Sequence, residues 1–343
     1  MSKSLGNIID PLVIINGGPN KKLDPAYGAD VLRLWVSSVD YSADVPIGSN
    51  ILKQISDVYR KIRNTSRYLL GNLYDFDYKN DSIDISELPL LDKWMLNRTA
   101  EVIDEITDAY SNFEFSKFFQ TIQNFCVVDL SNFYLDIAKD RLYVSSKSDF
   151  RRRSCQTVLS LVIEKISGLI APVLCHMAED IWQNIPYSME ETSVFQRGWP
   201  QAPESWRNSS FNSHVNELRK LRTVINRMME SCRNNQKLGS SLEAAVRVDI
   251  SDEKVQSAIG WLSQSESNKV DVLRDWLLVS SLQIGGEPWA EVLVSEENDI
   301  ASVDIAKARG IKCERCWHYE VEMSKNKNHQ NICNRCEKVV LAI

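Results

Sequence analysis

Four cysteines near the end of the chain have a type and spacing that predict metal binding. Cys313, Cys316, Cys333 and Cys336 form two C-x-x-C pairs separated by 16 residues. Each pair presents two thiolates from one tight turn, and two such turns complete a tetrahedron of sulfur around Zn²⁺. Because four thiolates leave no coordination position for water, we expect one structural zinc ion.

Two redox-active or incidental cysteine pairs are the alternative for this segment. The first residues contain no apolar secretory segment, and clustered cysteines in such a chain favour metal over disulfides. His318 and His329 lie nearby as substitute ligands, but four cysteines make them unnecessary. The other cysteines are scattered among apolar or helical residues, where a free cysteine behaves as a small hydrophobe: Cys126, Cys155, Cys175 and Cys232.

Two basic stretches are candidate nucleic-acid surfaces. The cysteine-rich segment is basic and carries Trp317 and Tyr319, and such cations contact phosphates while rings stack on bases. The alternative is a solvated face with Trp317 covering the metal. A predicted helix over residues 214–236 also has a basic face, for which a solvated surface is again the alternative. Its candidate phosphate contacts are Arg222, Arg227, Arg233 and Lys237.

The first residues of the chain have the composition of a phosphate-binding loop. Gly6, the hydroxyls of Ser2 and Ser4 and the cation of Lys3 can wrap a polyphosphate with backbone N–H groups and a point charge. This short stretch, which begins at Met1, does not identify a site by itself.

Composition limits the remaining choices. A chain of 343 residues with 43% apolar and 25% charged residues is typical of a globular protein of two or three domains. The longest uncharged run, residues 166–178, is shorter than the ~18 residues of a membrane span. A net charge of −6 argues against indiscriminate coating of nucleic acid but allows a local binding site.

Helical periodicity dominates the middle of the chain and predicts an antiparallel bundle of four long helices. A linker is predicted over residues 188–211, where Pro, Ser and Asn accumulate. Beyond Gly239 the apolar period changes to two, which predicts a small α/β unit. The predicted helices begin near residues 51, 91, 116 and 151, the last kinked at Pro172, and the predicted strands cover residues 245–250, 277–282 and 290–294.

Several segments resemble the class I aminoacyl-tRNA synthetases. Met1-Ser2-Lys3-Ser4-Leu5-Gly6-Asn7 is similar to their KMSKS loop, and Tyr27-Gly28-Ala29-Asp30-Val31-Leu32-Arg33-Leu34-Trp35 to the segment that follows it. Lys312-Cys-Glu-Arg-Cys-Trp317 and Cys333-Asn-Arg-Cys336 resemble the C-terminal zinc module of bacterial-type isoleucyl-tRNA synthetases. Further matching segments are Tyr59–Thr65, Asp92–Arg98, Asp129–Asp136, Lys139–Tyr143 and Ala171–Trp182.

The resemblance implies a mainly α fold with four parts. These are the end of a class I catalytic domain (1–50), a helical-bundle anticodon-binding domain (51–211), a basic helix with a small α/β junction (212–305), and a zinc-binding tail with four cysteine ligands (306–343). The implied reaction is ATP-dependent attachment of isoleucine to its tRNA, in which Lys3 stabilises charge on the phosphates of Mg²⁺-ATP. Arg222, Arg227, Arg233, Lys237 and Trp317 are then expected to contact isoleucine tRNA.

The chain also departs from the synthetase pattern. None of its four histidines begins the His-Ile-Gly-His signature, and no Lys precedes Met1. We therefore expect a C-terminal portion that is inactive alone, cytoplasmic, monomeric and without a membrane partner, with ATP and isoleucine bound through an N-terminal half. The alternatives are a free-standing tRNA-binding module without ligase activity, or a zinc-stabilised helical interaction protein.

Overall fold

The computed structural model describes Ser4 and residues 8–265, 269–326 and 330–342. The chain divides into two compact units, each assembled from separate segments. Unit 1 comprises Met1–Ser82, Arg98–Asp136 and Gln156–Arg207, and unit 2 comprises Ile83–Asn97, Ile137–Cys155 and Asn208–Ile343. The four domain boundaries predicted from sequence stay predictions.

Helices make up most of the described chain, as the sequence predicts, and a small sheet and the cysteine cluster occupy its C-terminal part. The α-helices are α1 Pro11–Asn16, α2 Ala29–Ser38, α3 Ser49–Gly71, α4 Tyr78–Asp81, α5 Leu90–Ser111, α6 Phe115–Asn124, α7 Leu135–Val144, α8 Phe150–Ile170, α9 Cys175–Gln183, α10 Ser209–Asn234, α11 Glu253–Ser265, α12 Lys269–Leu277 and α13 Asn334–Leu341. The strands are β1 Ala244–Ile250, β2 Ser281–Ile284, β3 Val294–Glu297, β4 Ala301–Lys307, β5 Ile311–Lys312 and β6 Tyr319–Glu320. The predicted mainly α fold is therefore confirmed.

Unit 1 is a helical bundle whose core follows the predicted apolar stripes. On α3, Leu52, Ile55, Ile62 and Leu69 recur on one face and are buried. The predicted third helix is continuous from α6 to α7, but Phe125–Tyr134 winds as a π-helix. The π-helix is a rare conformation that occurs mostly as single turns inside α-helices.

The predicted kink at Pro172 is a complete helix break. α8 ends at Ile170 and α9 begins at Cys175, because the pyrrolidine nitrogen of Pro172 has no hydrogen to donate. Arg33 of α2 donates to the freed carbonyls, with Nε 2.8 Å from Val173 O and Nη2 2.7 Å from Pro172 O. The helix break thus becomes a contact with α2.

The predicted linker over residues 188–211 is packed rather than free. It contains two short 3₁₀ turns, Val194–Gln196 and Glu204–Trp206, in which Val194 and Trp206 are buried. A Cβ placed at Gly168 would lie 2.5 Å from Pro200 Cγ, so this segment lies directly against α8.

Unit 2 contains a four-stranded sheet of order β2-β1-β4-β3, in which β1 and β2 are parallel and the other pairs antiparallel. The predicted strand over residues 245–250 is confirmed as β1. The second begins later than predicted because α12 continues to Leu277 and Leu278 turns with φ +57°. The third begins only at Val294, and β4 was not predicted.

Among the residues that the structure describes, none of the helices is both long and apolar enough to cross a membrane.

Candidate metal centre and nucleic-acid interface

The first cysteine pair is held in a tight turn between β5 and β6. The two strands pair Ile311 with Glu320 and Lys312 with Tyr319, which brings the ends of the turn together. Within the turn, Trp317 N donates to Cys313 O at 2.9 Å and Cys313 N donates to His318 O at 2.9 Å. This backbone bonding aims both sulfurs to one side.

The second cysteine pair lies at the start of α13. Cys333 is the N-cap of this helix, and Cys336 lies in its first turn. An isolated bridge between Met323 and Cys333 ties the helix start to the preceding chain. Cys333 N donates to Cys313 Sγ at 3.3 Å, so the two turns face each other.

The four sulfurs fit a tetrahedral zinc ion. All four side chains are buried, and their Sγ atoms lie within 4.8 Å of one another. Tetrahedral coordination at a Zn–S distance of ~2.3 Å places two sulfurs ~3.8 Å apart, and Cys316 Sγ lies 3.8 Å from Cys333 Sγ. Among the described residues, His318 is not part of this group; His329 lies outside the described residues. This geometry supports the predicted single structural zinc ion, for which the four cysteines are the expected ligands.

Electrostatics within the cluster favour loss of a thiol proton. The hydrogen bond between the two sulfurs raises the pKa of Cys316, which keeps its proton, and lowers the pKa of Cys333. The guanidinium of Arg315 lies 3.8 Å from Cys336 Sγ and adds positive charge beside the sulfurs. A bound Zn²⁺ would supply charge that lets all four cysteines bind as thiolates.

The cysteine-rich tail packs on α7 within unit 2. Val144, the last residue of α7, joins the buried cluster formed by the four cysteines. Arg335 donates two hydrogen bonds to Asp140, at 2.6 and 2.7 Å, and Arg315 donates to Val144 O at 2.5 Å. Burial tends to raise the pKa of Asp140, but the Arg335 guanidinium outweighs it and holds that pKa below its usual value. Two of the tail's cations thus serve internal contacts.

A groove of about 1590 Å³ opens in unit 2 beside β2 and the β5–β6 hairpin. Its lining carries three cations, three carboxylates and two rings: Arg274, Lys307, Arg309, Glu287, Glu291, Glu320, Trp289 and Tyr319. Tyr319 is fixed because its backbone N donates to Ser280 Oγ at 2.8 Å. The sequence predicted the aromatic and basic character near the tail but gave no indication of Trp289 or Arg274.

A buried ion pair shapes the groove wall. Arg247 on β1 donates to Asp304 on β4 at 3.0 Å, with 2% and 3% of the two side chains exposed. Arg247 also donates two hydrogen bonds to Gly286 O, while Trp289 N donates to the same carboxylate at 3.3 Å. The loop that carries Trp289 is therefore anchored to the sheet by charged groups.

The four candidate cations of α10 and its C-terminal end differ in exposure. Arg222 is buried, with 7% exposed, because it lies on the face of α10 that carries the apolar residues. Arg227 is exposed and pairs with Glu296, while Arg233 pairs with Glu230 at 2.9 Å. Lys237 is exposed and its Nζ donates to Leu293 O at 3.4 Å. A phosphate approaching this face would meet three of the four cations, each with an internal partner.

Trp317 stands out from the metal centre rather than covering it. Its side chain is 61% exposed, and its backbone adopts φ +64°, which a large side chain rarely does. Lys312 Nζ lies 5.7 Å from the ring centroid, within cation–π range. This geometry leaves a ring face for stacking beside a cation.

In the N-terminal loop only Ser4 is described, and it is exposed; Met1, Ser2, Lys3 and Gly6 lie outside the described residues.

Three regions of the chain match known protein families. Residues 1–48 match tRNA synthetases class I (I, L, M and V), and residues 92–250 match the anticodon-binding domain of tRNA ligase. Residues 310–339 match the zinc finger found in FPG and IleRS.

The chain is 90% identical over 343 residues to the isoleucine-tRNA ligase of Prochlorococcus marinus strain NATL1A, covering 100% of this chain and 36% of that protein. Along its whole length the chain is therefore similar to isoleucine-tRNA ligases. It is 66% identical to the enzyme of P. marinus strain MIT 9211 and 63% identical to that of Synechococcus sp. strain CC9311, each over 340 residues, 99% of this chain and 35% of the relative. The chain thus spans about a third of these relatives' length.

The fold was also matched to a solved structure, the Agrobacterium radiobacter K84 agnB2 LeuRS-tRNA-LeuAMS ternary complex. The match covers 78% of this chain and 28% of the matched chain in that complex. The TM-score is 0.44 and the identity 15%, too low to support a conclusion about this chain.

Several residues in the family-like segments serve as partners of one another. Arg141 donates to both carboxylate oxygens of Asp92, at 2.8 and 3.0 Å, and both side chains are buried. Arg98 Nε donates to Asp129, which lies within the π-helix, at 2.9 Å. A buried charge requires a partner of opposite charge, so the loss of either residue of a pair would leave the other residue's charge uncompensated. The synthetase-like segments Asp92–Arg98, Asp129–Asp136 and Lys139–Tyr143 therefore have a structural role in this chain.

Proposed function

We propose that this chain is the C-terminal, tRNA-binding portion of an isoleucine-tRNA ligase. The observation that supports this most strongly is 90% identity along the whole chain to an isoleucine-tRNA ligase. In the proposed reaction, the isoleucine carboxylate attacks the α-phosphate of Mg²⁺-ATP, forming isoleucyl-adenylate and releasing pyrophosphate. A ribose hydroxyl of the terminal nucleotide of isoleucine tRNA then attacks the acyl carbon and releases AMP.

Within that reaction the N-terminal loop is proposed to act on the phosphates. Lys3 would stabilise the charge that develops on the departing pyrophosphate, and Ser2, Ser4 and Gly6 would shape the loop around it. The part of the enzyme that binds isoleucine and the nucleoside is proposed to lie in the length of the relatives that this chain does not span. A polypeptide of this extent is therefore expected to bind tRNA without activating isoleucine.

The groove of unit 2 is the proposed RNA contact. Three cations against three carboxylates give it no net positive charge, so it is not a simple track for phosphates. Base edges offer donors and acceptors that such a mixed surface can satisfy, and Trp289 and Tyr319 supply rings for stacking. Exposed Arg227 and Lys237 and half-buried Arg233 are proposed to contact phosphates, whereas buried Arg222 would support α10 from within.

The test of this function is tRNA selection by the purified chain. We expect isoleucine tRNA to bind more tightly than a non-cognate tRNA, because two or three base contacts at ~1–3 kcal/mol each discriminate by ~10²-fold or more. Trp289→Ala should reduce the discrimination. Equal affinity for both tRNAs would contradict anticodon selection, and no binding at low salt would leave the zinc-stabilised interaction protein as the better function.

Amino-acid activation separates the ligase from a free-standing tRNA-binding module. The chain alone should give no isoleucine-dependent ATP–pyrophosphate exchange. Adding a separately produced N-terminal half from a P. marinus isoleucine-tRNA ligase should restore exchange, and Lys3→Ala should then lower its rate by ~10²–10³. Failure of every combination to restore exchange would favour the free-standing module. We further propose that the protein is cytoplasmic and monomeric, and sedimentation of the purified chain can test the monomeric state.

A further inference from the structure

Three potential metal ligands converge in unit 1. Asp30 comes from α2, and Cys175 and His176 begin α9; their ligand atoms lie within 4.8 Å of one another. We propose that these residues form a second metal site, which takes one Zn²⁺ or a chemically similar divalent transition-metal ion.

The distances between the ligand atoms are close to those of a tetrahedral site. His176 Nδ1 lies 2.8 Å from Asp30 Oδ1, and Cys175 Sγ lies 3.9 Å from Asp30 Oδ1 and 4.0 Å from His176 Nδ1. Tetrahedral zinc requires an N···O separation of ~3.3–3.4 Å and separations from sulfur of ~3.5–3.6 Å. Shifts of ~0.4–0.6 Å in the side chains would therefore complete the coordination geometry.

The backbone around the site is fixed without a metal. Asp30 Oδ2 accepts from Met177 N at 2.8 Å, and its Oδ1 accepts from His176 N at 3.4 Å. The side chain of Asp30 is 6% exposed, so this carboxylate is held in place beneath the start of α9. Metal binding would replace the hydrogen bonds that the His176 ring and the Cys175 thiol make with Asp30 Oδ1. The Cys175 thiol would release its proton to water and bind as the thiolate.

The donor set favours zinc over the alkaline-earth ions. One thiolate, one imidazole nitrogen and one carboxylate oxygen suit Zn²⁺, whereas Mg²⁺ and Ca²⁺ prefer oxygen ligands. The carboxylate and thiolate together neutralise a divalent charge. The His176 side chain is 74% exposed, which leaves water access to the fourth coordination position. Nearby Asp180 is engaged with Arg63, at 3.8 Å, and with Asn184.

The experiment uses the whole chain with its tail zinc already loaded. Equilibrium dialysis against Zn²⁺ should give a second equivalent per chain. With Co²⁺ the second equivalent should produce a charge-transfer band of one thiolate, weaker than that of a four-thiolate site. Mg²⁺ in excess should not displace it. Because the ion would join α2 to α9, Zn²⁺ should also raise the Tm.

Single substitutions separate this site from the tail. Cys175→Ser and His176→Ala should each lower the affinity for the second Zn²⁺ by at least ~100-fold. Even a residue that only supports a ligand through a hydrogen bond contributes ~10–100-fold to metal affinity. Cys232→Ser, at a buried cysteine on α10, is the matched control and should keep both equivalents. A wild-type chain that binds a single equivalent would overturn the proposal. So would retention of the second equivalent at unchanged affinity in both site variants.

Discussion

Asp140 of α7 and Arg335 of α13, 195 positions apart in sequence, form a bidentate ion pair at 2.6 and 2.7 Å. The zinc-binding tail is therefore joined to α7 by charge as well as by the packing of Val144 against the cysteines. Metal binding in the tail and the stability of unit 2 should consequently be coupled.

This coupling predicts the effect of removing Arg335. Arg335→Ala should lower the free energy of unfolding by ~1.5–3 kcal/mol, the range for hydrogen bonds to charged groups, while the zinc content stays at one tightly held ion. Urea unfolding and metal analysis measure the two quantities. Lys338→Ala, at a cation on the same helix, is the control. An Arg335→Ala chain of wild-type stability would mean that the tail is held by the metal cluster alone.

The Arg247–Asp304 pair predicts a pH dependence. Burial tends to raise the pKa of Asp304, but hydrogen bonds from Ser295, Trp289 and Arg247 lower it below its usual value. A lowered folded-state pKa stabilises the fold above the unfolded-state value of ~3.9, and this contribution is lost as pH falls through the folded-state pKa.

Asp304→Asn should therefore destabilise the chain by ~3–5 kcal/mol near neutral pH. The difference from wild type should shrink below pH ~4, where the Asp304 carboxyl of the unfolded wild-type chain begins to protonate. Acid also affects the zinc site, but it does so in both proteins, so this effect cancels in the difference between the two free energies of unfolding. Asp249→Asn is the control, because Asp249 is 61% exposed and only 3.8 Å from the same arginine. A difference that does not change with pH would show that Asp304 does not titrate with folding.

Gly310 should be sensitive to the smallest substitution. A Cβ at this position would lie 2.2 Å from Glu320 O, and the backbone has φ +101°. Gly310→Ala should disrupt the β5–β6 hairpin and destabilise the tail by more than the ~1–3 kcal/mol of backbone strain alone. Gly285→Ala separates the two causes, since Gly285 has φ +71° but nothing within 4 Å of its Cβ position. Equal losses in the two variants would argue against the steric clash.

Arg227 and Glu296 predict opposite effects on tRNA binding. Their ion pair would compete with a phosphate for Arg227. Arg227→Ala should weaken binding and flatten the salt slope by ~0.7–0.9, whereas Glu296→Gln should strengthen binding by freeing the cation. Filter binding over a range of salt concentrations measures both. Lys53→Ala, at an exposed cation on α3, is the charge-matched control. Unchanged slopes in both variants would favour a merely solvated face.

Trp317 should contribute through its exposed ring. Trp317→Ala should weaken the binding of isoleucine tRNA by ~1–3 kcal/mol and the binding of a non-cognate tRNA by less. The variant should retain its zinc. Trp317→Phe should restore part of the loss, since a ring face remains. Equal losses for both tRNAs would make Trp317 a general RNA contact, and loss of zinc would instead indicate a structural role at the metal turn.

Local spacing made the metal centre predictable. Two C-x-x-C turns define ligand geometry within a few residues, so Cys313, Cys316, Cys333 and Cys336 could be assigned from the chain alone. The helices followed for a similar reason, because an apolar residue at every third or fourth position specifies which face of a helix is buried.

The availability of each charged side chain was decided by the tertiary structure. Arg222 and Arg227 lie on one basic helix, yet the fold buries the first and leaves the second exposed beside Glu296. Arg335 lies in a basic tail but is directed at Asp140. Asp30 meets His176 across 146 positions. Sequence specifies the charge of a residue, but its partner and its exposure to water depend on contacts between distant segments, which only folding brings together.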